Sequence, residues 1–182
     1  MLKSKLHKLI SKSVNGNTKA RKALYQQIAP MMLSVSNRYA NNTNDAEDIF
    51  QESVLLFFEK LHQLNDAEKV GGWAKQIVIH EAIKNYKKKR KLTFTEDTLN
   101  TENVYVEDSE LYNKINIDEL LSTIQQLPEK MRMVLNLYAI EGYKHDEIAD
   151  MLGISVGTSK SNLHDARARL KKHIQQEKRR LG

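Results

Sequence analysis

The chain has 182 residues, of which 40% are hydrophobic, with a formal net charge of +6 and no cysteine. This length fits one mid-sized domain or two small ones, and the absence of cysteine excludes disulfides and thiolate metal sites. Lysine interrupts each short apolar run at the N-terminus and no later run approaches membrane-spanning length, so we expect no membrane insertion and a cytoplasmic protein. The basic balance favours a polyanionic partner, because phosphate contacts release condensed counterions.

Apolar residues at helical spacing predict three helices in the first half of the chain. No stretch shows the sustained alternation of a strand, so the predicted fold class is all-α. We expect a turn over residues 41–44, Asp45 as the N-cap of the second helix, and a break at Gly71-Gly72 before the third. The apolar stripes are Leu24, Ile28, Met31, Val35 and Tyr39; then Phe50, Val54, Phe57, Leu61 and Leu64; then Trp73, Ile77 and Ile83.

An acidic segment divides the chain. Residues 92–113 contain six acidic residues and no Lys or Arg, and their few apolar residues follow no clear period, as is typical of a linker. We therefore predict an N-terminal extension at 1–17, a helical domain at 18–91, an acidic flexible linker at 92–114 and a second helical domain at 115–182.

The second domain begins with a helix that has Pro128 in its first turn and ends near Ile140. Its predicted buried stripe is Met131, Val134, Leu135 and Tyr138. A short helix is expected over residues 144–152, followed by Gly153, and Ser155 is expected to cap a last, long helix.

The two last elements satisfy the requirements of a helix-turn-helix. Ala149 provides the small residue where the helices cross, and Gly153 permits the positive φ of the turn. The expected apolar anchors are Ile148, Leu152, Ile154, Val156 and Leu163. The last helix is expected to present Thr158, Lys160, Ser161, Asn162 and Asp165 to a major groove.

Two alternatives stay open at this motif. The helix-turn-helix pattern also fits a helical hairpin with a solvated polar face. The cations that follow, Arg167 and Arg169 among them, fit either phosphate contacts or a solubilising helix end, where cations favour the macrodipole.

Three motifs follow one another and together span nearly the whole chain. They are Asp45-Ala-Glu-Asp-Ile-Phe-Gln-Glu52 after Arg38-Tyr39; Trp73 to Ile77 leading into Ile83 to Arg90; and Leu127-Pro-Glu-Lys with Glu147-Ile-Ala, Gly157 to Ser161 and Ala166 to Leu170. In this order they resemble the motifs of extracytoplasmic-function (ECF) sigma factors of the sigma-70 family. The first is similar to the family's polymerase-binding signature, the second to its promoter-melting helix and the third to its helix-turn-helix for the −35 element.

The resemblance implies a region 2-like bundle and a region 4-like helix-turn-helix in a sigma factor that directs promoter-specific initiation. It implies three partners: RNA polymerase core (the clamp of the β′ subunit and the β flap), promoter DNA and an anti-sigma factor. The implied core-binding residues are Asp45, Glu47, Asp48, Gln51 and Glu52. The implied −10 residues are Trp73, Lys75, His80, Lys84, Tyr86, Lys87 and Arg90. The implied −35 residues are Thr158, Lys160, Ser161, Asn162, Asp165, Arg167 and Arg169.

Structural explanations compete at several of these positions. Helix capping accounts for Asp45 and competes as an explanation at Glu47 and Asp48, but it does not explain Gln51 with Glu52. Trp73 is more typical of a core residue than of a DNA contact, so Tyr86 and the basic run after it are the better candidates. The sequence also departs from the family pattern at His80, Lys84, Asn162 and Asp165. The last two stand where many members have Arg, which predicts an altered −35 preference.

The remaining residues favour neither catalysis nor a cofactor. The six histidines have no ligand spacing, so we expect no zinc or other metal, and no phosphate-binding glycine loop or nucleophile motif is present. Two rival interpretations are a transcriptional regulator that never contacts polymerase and an enzyme that acts on nucleic acid.

Overall fold

The computed structural model describes residues 2–92 and 117–181, and the regular structure of these two ranges is helical throughout. The all-α prediction is confirmed. No helix in the described ranges is long and apolar enough to cross a membrane. The helices are α1 (Leu2–Val14), α2 (Thr18–Tyr39), α3 (Thr43–Lys60), α4 (Val70–Leu92), α5 (Ile117–Gln125), α6 (Glu129–Leu135), α7 (His145–Leu152) and α8 (Val156–Leu181).

The chain divides into two compact units, Met1–Tyr86 and Lys87–Gly182. In the first unit, α1 packs against α2 and α2 packs against α3. The predicted extension at 1–17 contains α1, whose Ile10 and Ser13 are buried, so this helix is part of the core of the unit. Apart from Leu92, which ends α4, the predicted acidic linker lies outside the described residues.

The core of the first unit contains only part of the predicted apolar stripes, since Phe50, Val54, Leu64, Trp73 and Ile77 are half-buried. Leu24, Met32 and Phe57 are fully buried, whereas Met31, which the sequence placed in this stripe, is only half-buried. The prediction of Met31 was wrong because intervals of three and four residues both fit the helical period, so the pattern does not choose between adjacent methionines.

Two predicted helix boundaries in this unit were also wrong. The N-cap of α3 is Asn42, whose Oδ1 accepts from the Asp45 amide at 2.9 Å, so Asp45 lies inside the first turn. Gly71 and Gly72 do not break the chain, because α4 already begins at Val70. Amides in the first turn have no intrahelical hydrogen-bond partner, so glycine destabilises the helix less there than it would in the helix interior.

The core of the second unit forms around α6. Met133, Val134 and Leu137 are buried, and a π-helical turn over Asn136–Ile140 extends the helix to the predicted end. Pro128 is the N-cap residue rather than part of the first turn. Arg132 is only 2% exposed, and its guanidinium donates to the carbonyl oxygens of Gln125 at 2.8 Å and Leu127 at 2.9 Å. These bonds join the end of α5 to α6.

Candidate nucleic-acid interface

The predicted helix-turn-helix is present in the second unit. Gly153 ends α7 with φ of 66° and ψ of 45°, the left-handed conformation that the turn requires. Ser155 caps α8, since its Oγ accepts from the Thr158 amide at 3.0 Å. Ile148, Ala149 and Leu152 are buried where α7 packs against α8. The two helices are therefore held as the sequence predicted.

Two predicted anchors of this motif are not fully buried. Val156 is 41% exposed at the first position of α8, and Ile154 is half-buried. The buried face of α8 runs instead through Ser159, Leu163, Ala166 and Leu170, which recur every three or four residues. Val156 lies three residues before Ser159 and fits the spacing of this series, but it is the first residue of α8 and is exposed at the end of the helix.

The exposed face of α8 differs from the predicted one at Asn162. This residue is 8% exposed, and its Nδ2 donates to the Thr158 carbonyl oxygen at 2.8 Å. The prediction that Asn162 points outward was therefore wrong, because the amide bonds to its own helix. Lys160, Arg167 and Arg169 are exposed, and Thr158, Ser161 and Asp165 are half-buried.

Sequence analysis missed a polar and aromatic cluster beside this face. The rings of Tyr138 and His145 stack with centroids 4.5 Å apart, and His145 Nδ1 lies 2.9 Å from Ser159 Oγ. The guanidinium of Arg167 lies 5.7 Å from the centre of the Tyr138 ring. Partial burial lowers the pKa of His145, and the charges of Lys160 and Arg167 lower it further. The cluster joins α7, α8 and the π-helical turn.

Helix α4 reverses the expected roles of its two aromatic residues. Tyr86, predicted to contact DNA, is 5% exposed and belongs to the core. Trp73, for which a core position was the stronger alternative, is half-buried, and its ring centroid lies 5.3 Å from that of Phe57. Trp73 and Tyr86 are thirteen positions apart, which places them on different sides of α4, and the sequence alone does not tell which side is covered.

The predicted polar residues of α4 lie mostly at the surface. His80, Lys84, Lys87 and Arg90 are exposed, and Lys75 is half-buried. Lys84 Nζ lies 2.9 Å from Glu81 Oε2. This hydrogen bond and the Glu81 charge raise the pKa of Lys84, so the lysine stays charged but is partly compensated within its own helix.

The acidic residues of α3 form one exposed face. Glu47, Asp48, Gln51 and Glu52 are exposed and Asp45 is half-buried, while Ala46, Ile49, Ser53 and Phe57 are buried on the opposite side. Leu55 lies in the acidic face and is 67% exposed. Sequence analysis did not single out Leu55, although it follows Asp48 and Glu52 at helical intervals. In the described ranges, no group of three or more His, Asp and Glu side chains is placed to hold a metal ion.

Comparison with known proteins identifies both units. Sigma-70 region 2 matches residues 24–92, and sigma-70 region 4 matches residues 117–170. The ECF RNA polymerase sigma factor SigW of Bacillus subtilis (strain 168) is 30% identical over 152 residues, which cover 75% of this chain and 79% of SigW. The ECF RNA polymerase sigma-E factor of Haemophilus influenzae is 26% identical over 184 residues, with 92% and 94% coverage.

Among solved structures, the sigma factor RpoE in complex with the anti-sigma factor NepR from Bartonella quintana is similar at 19% identity and a TM-score of 0.48. The match covers 83% of this chain and 94% of that one. The SigW alignment and the two region matches are sufficient to assign the family. The chain belongs to the ECF RNA polymerase sigma factors of the sigma-70 family, which are not enzymes but factors for promoter-specific transcription.

Proposed function

We propose that this sigma factor binds RNA polymerase core through the acidic face of α3, holds the −10 element along α4 and recognises the −35 element with α8. The main support is the acidic face itself. The carboxylates of Glu47, Asp48 and Glu52 are exposed with Leu55, whereas Ala46, Ile49, Ser53 and Phe57 on the opposite side are buried in the core. A helix face with this composition suits a basic partner surface.

The geometry of α3 supports the core-binding proposal. Asp48, Glu52, Leu55 and Glu59 follow one another at intervals of four, three and four residues, so they share one side of the helix. Carboxylates around one exposed leucine resemble the polar rim and apolar centre of a protein interface. We propose the β′ clamp as the surface that this face binds.

The surface of α4 supports binding to the DNA backbone of the −10 region. Lys87 is exposed on the last part of the helix, together with Lys88, Arg90 and Lys91, and Lys89 is half-buried beside them. Single-stranded DNA requires cations along its backbone and planar groups for its bases. Because Tyr86 is buried, Trp73 is the aromatic residue of this helix that offers some exposed surface, with Lys75, His80 and Lys84 as its polar neighbours in sequence.

The surface of α8 supports major-groove binding by fewer residues than the sequence suggested. Lys160 is the exposed donor in the first turns, and Thr158, Ser161 and Asp165 present part of their surface. Arg167 and Arg169 are exposed farther along and suit phosphate contacts. We therefore propose −35 recognition by Lys160, Ser161 and Asp165, with Asn162 in a structural role.

Three further parts of the proposal come from the family. The β flap is proposed as the partner of the second unit, and an anti-sigma factor as the regulator. The acidic residues 92–114, which lie outside the described residues apart from Leu92, are proposed as the tether between the units. Cytoplasmic localisation follows from this proposed role beside RNA polymerase.

A reconstituted transcription assay tests the proposal. Purified chain and core polymerase are given a pool of genomic fragments, and the start sites that depend on the chain are sequenced. Asp48→Lys is expected to abolish core capture and transcription together, since it reverses the charge in the middle of the acidic face. Glu68→Lys, at an exposed acid outside α3, is the matched control. Equal core binding by both variants would refute the α3 interface.

A further inference from the structure

The N-terminal part of the first unit has a one-sided charge. Residues 1–44 contain six lysines, two arginines and no aspartate or glutamate. Seven of these eight cations precede residue 24, where the match to sigma-70 region 2 begins. The charge therefore lies on α1 and the start of α2, before the match to region 2 begins.

The lysines of this segment occupy exposed positions on two consecutive helices. Lys5, Lys8 and Lys12 recur at three and four residues on α1, so they lie on one face of that helix. Lys19 and Lys22 lie on the first turns of α2. All five are exposed, and none forms an ion pair with another described residue. We call these five residues the lysine face.

Helix α1 is held in place by contacts that do not use the lysines. Ile10 is buried, and Ser13 Oγ donates to the Leu9 carbonyl oxygen at 2.8 Å. Arg21 Nε of α2 donates to the Ser13 carbonyl oxygen at 3.0 Å, and its guanidinium lies 5.9 Å from the Phe58 ring centre. The arginine therefore stabilises the helical hairpin, and the lysines remain available.

A surface of this kind is unfavourable without a partner. Lys5 in the first turn of α1 opposes the helix macrodipole with no acidic residue to compensate it, whereas Lys12 in the last turn favours the macrodipole. Surfaces that serve only solubility usually mix both signs of charge. The uniform sign therefore indicates a polyanion, for which the cations would release condensed counterions.

We propose that the lysine face binds the phosphate backbone of double-stranded DNA without regard to sequence. A lipid surface fits less well, because an amphipathic helix binds lipid through its apolar side and that side of α1 is packed in the unit. Duplex DNA offers phosphates at a density that a row of lysines three and four residues apart can follow. The inference does not depend on −10 or −35 recognition.

A salt titration with full-length chain tests the proposal. The probe is a short fluorescein-labelled DNA duplex of arbitrary sequence, and its anisotropy gives the apparent Kd at several salt concentrations. The double variant Lys8→Gln with Lys12→Gln should raise Kd roughly tenfold at about 0.1 M salt and lower the log–log salt slope by about two. The charge-matched control is Lys60→Gln with Lys69→Gln, at exposed lysines outside the lysine face. The double variant Lys8→Arg with Lys12→Arg should retain wild-type binding.

Two results would overturn the proposal. One is an unchanged salt slope in the lysine-face variant, or a loss of equal size in the control. The other is that the lysine-face variant no longer binds vesicles of phosphatidylserine and phosphatidylcholine but still binds DNA, which would show that the surface is a lipid site.

Direct proximity of the lysine face to DNA is tested by crosslinking. The chain has no cysteine, so Lys8→Cys with a photoreactive label should crosslink to the duplex, and Lys60→Cys should not.

Discussion

The side-chain amide nitrogen of Asn162, Nδ2, donates to the backbone carbonyl oxygen of Thr158 at 2.8 Å, one turn earlier in α8. The bond turns a side chain at a position expected to face DNA back onto its own helix. It leaves the first turns of α8 with Lys160 as their exposed donor. The set of residues that can select a −35 sequence is correspondingly small.

The first prediction concerns Asn162 itself. Asn162→Ala removes one hydrogen bond at a buried site and should lower the free energy of unfolding by about 1 kcal/mol or less, because alanine also has the higher helix propensity. The preferred −35 sequence should not change. Selection from a randomised −35 library measures the preference, and Lys160→Ala, which should alter it, is the comparison. A changed preference in Asn162→Ala alone would show that the amide turns outward on DNA.

The second prediction concerns Leu55. Leu55→Ala should leave thermal stability nearly unchanged, since the side chain is already 67% exposed. It should weaken core polymerase binding about tenfold, as expected for an apolar residue in the centre of an interface. Leu33, a 40% exposed leucine on α2, provides the control Leu33→Ala. Equal affinities of the two variants in a core-binding titration would show that Leu55 is not part of the interface.

The third prediction compares two glycines of the helix-turn-helix. Gly153 has a φ of +66°, and Gly157 lies within α8, where an added Cβ would meet Ser155 Oγ at an ordinary 3.7 Å. Gly153→Ala should destabilise the chain by about 1 kcal/mol or more, and Gly157→Ala should stabilise it by about 0.5–1 kcal/mol. Urea titration measures both. If both substitutions changed the free energy of unfolding in the same direction, the left-handed conformation of Gly153 followed by a helical Gly157 would be contradicted.

The sequence predicted the elements that depend on local chemistry. Gly153 and Ser155 were assigned correctly because a positive φ and an N-cap each require a particular kind of residue. The predicted start of a helix was wrong where two nearby residues both satisfy the requirement for an N-cap. Asn42 and Asp45 are both suitable N-caps, and the choice between them depends on how the helix packs.

The functional surfaces were predictable only in part. Acidic residues at helical spacing indicated the exposed face of α3, because charge and period together define a helix side. The contact of Tyr138 with His145, and of His145 with Ser159, joins residues from three elements. No local pattern encodes such a cluster, and the same is true of the choice between Trp73 and Tyr86 for the core.

The fourth prediction is a pH dependence that arises from His145. Its pKa in the folded chain is lowered from 6.5, so the unfolded chain binds more protons below neutral pH. Stability should therefore be constant above the unfolded pKa and fall as the pH drops below it. His145→Gln should remove this part of the acid sensitivity. Melting temperatures of both proteins across the acidic range give the comparison, and parallel curves would exclude His145 as the cause.

The fifth prediction concerns Asp165, a half-buried acid on the exposed side of α8. A carboxylate accepts from cytosine, whereas arginine favours guanine and phosphate. Asp165→Arg should therefore shift the preferred −35 base toward guanine and tighten promoter binding, with a steeper salt dependence by about one to two in the log–log slope. Asp165→Asn is the control, since it removes the charge without adding a guanidinium. If the randomised library returned the wild-type sequence for Asp165→Arg, then Asp165 would not face a base, and the altered preference would have to come from Lys160 or Ser161.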